Sequence, residues 1–159
     1  MRNHQRGFSL IELLIVVAII LIIAAIAIPN LIRSRMSANE ASAVGTIRTL
    51  NTAEIAYSTT YPSIGFTQLS SLGGAAPCTA ATSSSACLID DSIAQVPNTK
   101  SGYTFTTAPG TQVPAVTYTS TGYPQVLGQS GQRAFCSDQS GVIRANATSG
   151  TCTTADAPI

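Results

Sequence analysis

The sequence contains no tryptophan and a single histidine, and charged residues fill only 9% of its 159 positions. That histidine, His4, stands in the short N-terminal leader. A chain that loses the leader keeps none, which removes Ser-His-Asp and Cys-His catalysis and histidine-ligated metal sites. No acid, base and nucleophile set is left, so the chain reads as a protein that is not an enzyme. Eight Lys and Arg against seven Asp and Glu give a formal net charge of +1. Arg2 and Arg6 lie in the leader, and too few other cations remain for the broad basic surface that nucleic-acid binding draws on. Nucleic acid is therefore not indicated as a partner. A glycine-rich phosphate loop is missing. Asp90, Asp91 and Asp138 offer oxygen ligands, but no twelve-residue calcium loop or dense acidic motif accompanies them. Neither a cofactor nor a metal is expected. The few aromatic residues read as core and not as a stacking platform for bases.

Cysteine is scarce too, with four residues, all after position 77. An even number in a polar segment behind a membrane-type helix suggests disulfides formed in an oxidising compartment. The intervals Cys78-x8-Cys87 and Cys136-x15-Cys152 hold no C-x2-C knuckle and no nearby histidine, which disfavours zinc. Buried free thiols are the alternative. Connectivity stays open: a Cys78–Cys87 bridge would close a small Ser/Thr/Ala loop, and Cys136 could tie to Cys152 and pin the C-terminal tail over a sheet.

What the chain has in quantity is apolar side chain near its start. After the basic leader ending at Gly7, an apolar run extends from Phe8 to Ile28, broken only by Ser9 and Glu12. At ~1.5 Å per residue it makes a helix of roughly 30 Å, about one hydrocarbon thickness. An acid in such a helix costs about 2.5 to 3.5 kcal/mol at mid-bilayer, less near an edge. Three readings compete. A secretory signal peptide cut after Ala25-Ile-Ala27 would have an overlong apolar region containing an acid. A plain anchor with the leader left in the cytoplasm explains the length but not Glu12. Cleavage after Gly7 explains both, because it creates an amino group on Phe8 one helical turn from Glu12. In dry surroundings each charge is costly alone, and pairing offsets much of that cost. A pair between neighbouring subunits would also fix axial register.

The stretch Gly7-Phe-Ser-Leu-Ile-Glu12-Leu-Leu-Ile-Val-Val-Ala-Ile-Ile, closing with Ala27-Ile-Pro29-Asn30, resembles the N-terminal signature of type IV pilins and the related pseudopilins of type II secretion. The resemblance covers about the first quarter of the chain. It implies that prepilin peptidase cuts after Gly7 and N-methylates Phe8, that Glu12 serves assembly, and that Pro29 kinks the helix. It also implies a homo-oligomeric helical filament built by a pilus assembly platform. The chain would sit in the inner membrane before assembly and in an extracellular pilus, or a periplasmic pseudopilus, afterwards.

Four segments follow: the leader 1–7, a membrane-spanning or filament-core half-helix 8–28, an amphipathic half-helix 29–61, and a globular head 62–159. Pro29 lacks a backbone donor and crowds the carbonyl four residues back, so it should kink the helix or end it; the proline-free residues 31–61 favour a kink. Arg33 and Arg35 suit the far edge of a bilayer. Val44, Ile47, Leu50, Ile55, Tyr57 and Tyr61 share an arc of roughly 160° that should pack on the head. The opposite side carries Ala38, Ala41, Gly45, Thr49, Thr52, Ala56 and Thr59, small enough for close helix approach in a filament core, or else a plain solvated face.

In the head, a long loop with a short helix over 66–72 precedes alternating runs at Tyr103-Thr-Phe-Thr-Thr, Val116-Thr-Tyr-Thr-Ser, Arg133-Ala-Phe-Cys-Ser and Gly141-Val-Ile-Arg-Ala. The last two are joined by the turn Asp138-Gln-Ser-Gly141. The expected fold is α+β and pilin-like, one long N-terminal helix on a four-stranded antiparallel sheet. Asn146-Ala-Thr148 fits a glycosylation triplet that also arises by chance, and the Ser/Thr tract near residue 80 suits O-glycosylation. The leading functional reading is a structural subunit of a type IV pilus. A type II secretion pseudopilin, or a membrane-tethered surface binding module, is the alternative. Motility, adhesion, DNA uptake and secretion are not separated by the sequence.

Overall fold

A computed structural model describes residues 8–74, 77, 78, 80–147 and 150–159. The leader, with His4 and Gly7, lies outside the described residues, as does Thr148. The chain divides into two compact units, one ending at Arg35 and one starting at Met36. A helix, α1 (Leu10–Thr60), supplies residues to both.

In the first unit, leucine, isoleucine and alanine dominate α1, and Leu and Ala, which have no β-branch, favour the helix intrinsically. Pro29 lies inside α1 without ending it, since helical structure continues to Thr60. Every described side chain from 8 to 35 is exposed except Ala24, which is half-buried.

The second unit is built on residues 36–60 of α1. Among the described residues it adds two one-turn helices, α2 (Leu69–Leu72) and α3 (Asp91–Ala94), and six strands. These are β1 (Thr99–Lys100), β2 (Tyr103–Pro109), β3 (Tyr118–Pro124), β4 (Ala134–Asp138), β5 (Arg144–Asn146) and β6 (Ala157–Pro158). The sheet is an antiparallel meander in the order β1 to β6. Each strand pairs with the one before it in sequence, so no connection crosses the sheet. The α+β arrangement expected from the sequence is present, with six strands instead of four. The added strands β1 and β6 are two residues each, too short to show an alternating pattern. The fourth expected run also starts late. Gly141 has φ +73° and closes a turn by donating its N–H to the Asp138 carbonyl at 2.9 Å, so pairing begins only at Arg144.

The core joins Ala43, Ile47, Leu50, Ala53 and Tyr57 of α1 to Leu72, Ile93, Tyr103, Phe105, Phe135 and Ile143. Tyr57, Tyr103, Phe105 and Phe135 are fully buried, each worth about 1.5–3 kcal/mol or more of apolar transfer. In β2 the alternation Tyr103, Phe105, Thr107 points inward. β4 is buried on both faces: Phe135 belongs to the main core, whereas Ala134 and Cys136 pack with Cys152. The short helix expected over 66–72 is confined to Leu69–Leu72, because the backbone is still extended at Gln68, with φ −83° and ψ 157°.

The buried face of α1 differs from the apolar arc in the sequence. Ile47, Leu50 and Tyr57 are buried and Val44 and Tyr61 half-buried, but Ile55 is 56% exposed. Two acids lie on the buried side instead, Glu40 and Glu54.

Candidate assembly surface

The start of α1 carries the glutamate half of a capping box. Ser9 precedes the first helical residue, and its carbonyl accepts the Leu13 N–H at 3.2 Å. The Glu12 carboxylate reaches back to accept the Ser9 N–H at 2.9 Å. The pattern Ser-x-x-Glu ahead of an apolar run is the sequence signature of this cap. A carboxylate in the first turn also opposes the positive end of the helix dipole. Glu12 thus has a local partner in the structure. Phe8, just upstream, is 75% exposed.

From Leu10 onward, α1 presents isoleucines, leucines and valines to its surroundings, with Leu10, Ile11, Leu21, Ile22 and Ile26 all above 60% exposed. An 18-residue window of this helix has mean hydropathy 3.3 with none of it buried, long and apolar enough to cross a membrane. Exposed apolar surface on this scale marks a partner surface.

In the second unit, the small residues Ala38, Ala41, Gly45, Thr49, Thr52 and Thr59 are exposed and Ala56 is half-buried. A Cβ added at Gly45 would meet nothing within 4 Å. The hydroxyls of Thr49 and Thr52 bond back to the carbonyls of Gly45 and Arg48, which leaves this side of the helix smooth.

Opposite it, α1 clamps the head through polar groups. The Glu40 Oε1 accepts the N–H groups of Gln132 and Arg133 at 2.9 and 3.2 Å, and its Oε2 accepts from Arg133 Nε at 2.9 Å. The Arg133 guanidinium closes an ion pair with the same oxygen at 2.8 Å and lies 5.4 Å from the Phe135 ring centre. Asn39 donates to the Ser130 carbonyl at 2.9 Å, so two adjacent residues hold the β3–β4 connection. Asn51 donates to Ser137 at 2.8 Å and accepts from the Tyr118 hydroxyl at 3.1 Å. Burial, then the charge of Glu54, pushes Tyr118 up to about 12. Burial and the nearby Glu40 likewise raise Tyr103, whose hydroxyl donates to the Arg133 carbonyl at 2.8 Å.

The cysteines pair as Cys78–Cys87 and Cys136–Cys152. The first closes the Ser/Thr loop, which Tyr57 also holds by donating to the Ser83 carbonyl at 2.6 Å. The second ties β4 to the tail that becomes β6. The Asp156 carboxylate strengthens that tie by accepting from the Thr153 N–H at 2.7 Å and from Asn146 Nδ2 at 2.8 Å. These bonds hold its carboxyl below the usual range. The Asn146 amide nitrogen of the glycosylation triplet is thus engaged inside β5. Among the described residues, Cys136, Cys152 and Asp156 form the one cluster of metal-ligand type, and its two sulfurs are bonded to each other. Asp90 caps α3 through the Ser92 N–H at 2.8 Å, and Asp138 closes its turn through the Ser140 N–H at 2.8 Å.

Hydropathy assigns no structural role to Glu40 and Glu54, and it registers Ser9 only as a break in the apolar run. Ser9 with Glu12 was readable as a capping box. Glu40 and Glu54 fall three to four residues from apolar members of the buried face, but acids at such positions ordinarily mark a solvated side.

Residues 2–28 match the prokaryotic N-terminal methylation motif. The chain is 51% identical over 51 residues to the type IV major pilin protein PilA of Myxococcus xanthus, covering 32% of this chain and 23% of that protein. It is 62% identical over 40 residues to the type IV wide pilus major component PilA4 of Thermus thermophilus, covering 25% of this chain and 30% of that protein. The matches therefore span under a third of the length of either relative. No solved structure matches the chain. The leader and the first part of α1 thus carry the N-terminal methylation motif, and two type IV pilus proteins are similar to the chain over parts of their length.

Proposed function

We propose that this chain is a structural subunit that polymerises into a type IV pilus once its leader is cut after Gly7. The observation that carries the reading is the fully exposed apolar half of α1, headed by a methylation motif and joined in sequence to a disulfide-bonded α+β unit. Such a helix needs lipid or a bundle of like helices around it, because water would leave its whole surface uncompensated. Lipid and a helix bundle are both apolar, so one segment serves first as inner-membrane anchor and then as filament core.

In this reading prepilin peptidase exposes the Phe8 amine and methylates it. Glu12, released from or shared with the Ser9 cap, neutralises that amine between subunits and sets axial register. Pro29 bends α1 where the filament requires it, and the exposed small-residue side lets neighbouring helices approach. The second unit forms the outer surface of the pilus. The polymer is a homo-oligomer; an assembly platform supplies the work, and no chemistry is asked of this chain.

Electron microscopy of cells with and without the gene tests the proposal. Loss of surface filaments on deletion, and their failure to return with Glu12→Ala or Glu12→Gln although both variants insert in the membrane, is the expected pattern. Normal filaments from either variant would refute the role of Glu12, and unchanged filaments after deletion would refute the subunit assignment. Filaments confined to the periplasm would favour a pseudopilus.

A further inference from the structure

We propose that Glu54 is a proton-operated latch that fastens the first connection of the second unit, residues 61–68, to α1. The inference goes beyond the filament reading and does not depend on it. Glu54 is fully buried. Its Oε2 accepts the Thr67 N–H at 3.0 Å, whereas Oε1 is buried without a partner among the described residues. A buried carboxylate with one donor is poorly compensated; a neutral carboxyl in the same place keeps its acceptor on Thr67 and carries its proton on the other oxygen.

Beyond the Thr67 N–H, the surroundings do little for the charged form. The titratable group of the sheet that feels the Glu54 charge is Tyr118 of β3, and its hydroxyl is given to Asn51. Asp138 acts on Tyr118 as a further negative charge. Among the described residues no cation contributes at Glu54. Burial raises its carboxyl from 4.5 to about 7, and the Thr67 hydrogen bond pulls back only in part.

Release of Thr67 has a structural consequence. The same connection is knitted to the β2–β3 loop by Phe66 N–H to the Ala115 carbonyl at 3.0 Å and Ala115 N–H to the Ile64 carbonyl at 2.8 Å. Gly65, at φ +80°, lies so close to Ala115 that no side chain fits there. Ser63, Ile64, Phe66, Thr67 and Gln68 also line a cavity of about 290 Å³, together with Pro109, Val113 and Ala115 among others. Opening the latch therefore loosens that lining.

The sign follows from linkage. A carboxyl whose pKa is higher when closed holds its proton more tightly closed than open. Opening is suppressed at acid pH, grows as pH climbs from 4.5 toward about 7, and levels off above. The test is hydrogen exchange by mass spectrometry on the full chain in detergent, following peptides over 62–68 from pH 5 to 8 after correction for intrinsic exchange. The expected result is an opening constant that rises at least about tenfold across that range. Glu54→Gln should flatten the rise and Tyr118→Phe should retain it. A flat wild-type profile overturns the latch, even if the Gln variant fails to fold. So does a rise that Glu54→Gln leaves unchanged.

Discussion

Replacing Glu40 by alanine isolates the largest polar tie between α1 and the sheet. The carboxylate is 9% exposed and serves four donors: two backbone N–H groups, at Gln132 and Arg133, and two guanidinium nitrogens of Arg133. Its removal orphans both N–H groups, at about 1 kcal/mol or more each, and unpairs the arginine. The Arg133 side chain is 46% exposed, so water recovers much of its charge and the ion pair adds only about 0–1 kcal/mol. The sum for Glu40→Ala is about 2–4 kcal/mol. Arg133→Ala, which leaves both N–H groups on Glu40, should cost only about 1 kcal/mol. The double variant should then cost scarcely more than Glu40→Ala alone, since the two residues act on one contact. Urea unfolding of the full chain in detergent, followed by circular dichroism, measures all three. A cost below about 1 kcal/mol for Glu40→Ala, or equal costs for the two single variants, would refute the assignment of the main contribution to the backbone donors.

The remaining predictions concern assembly and the tail. Gly45→Leu and Ala56→Leu should abolish filaments yet leave the second unit as stable as before, because a Cβ at Gly45 meets nothing and leucine gains roughly 0.8 kcal/mol of helix propensity over glycine; filament yield and unfolding midpoints measured together check this. Cys136→Ser opens a bridge of sequence separation 16 and should cost about 3 kcal/mol, with faster exchange at β5 and β6 as the local sign.

Much of this arrangement is legible in the sequence, for identifiable reasons. The apolar helix, β2 and the Asp138–Gly141 turn are local patterns, and each stands where its pattern lies. The one-turn helix α3 depends on a single Asp90 cap. The strands β1 and β6 exist only because distant segments lie beside them, so no local pattern announces them. The buried face of α1 misled for a different reason. Hydropathy excludes glutamate from a core, but Glu40 is stabilised by four donors brought from residues over ninety positions away. Ile55, apolar yet 56% exposed, shows the converse: an apolar side chain on the helix stays outward where the rest of the unit does not reach over it.

The central claim is that the apolar half of α1, freed of its leader, is the core of a surface filament. Its most direct measurement is the N-terminal residue of this chain in filaments sheared from cells, read by mass spectrometry. A chain beginning with N-methylated Phe8, as a main component of the sheared filaments, is the expected result. A chain beginning at Met1 would mark a plain anchor and one beginning at Ile28 a secreted module, and either would contradict the claim.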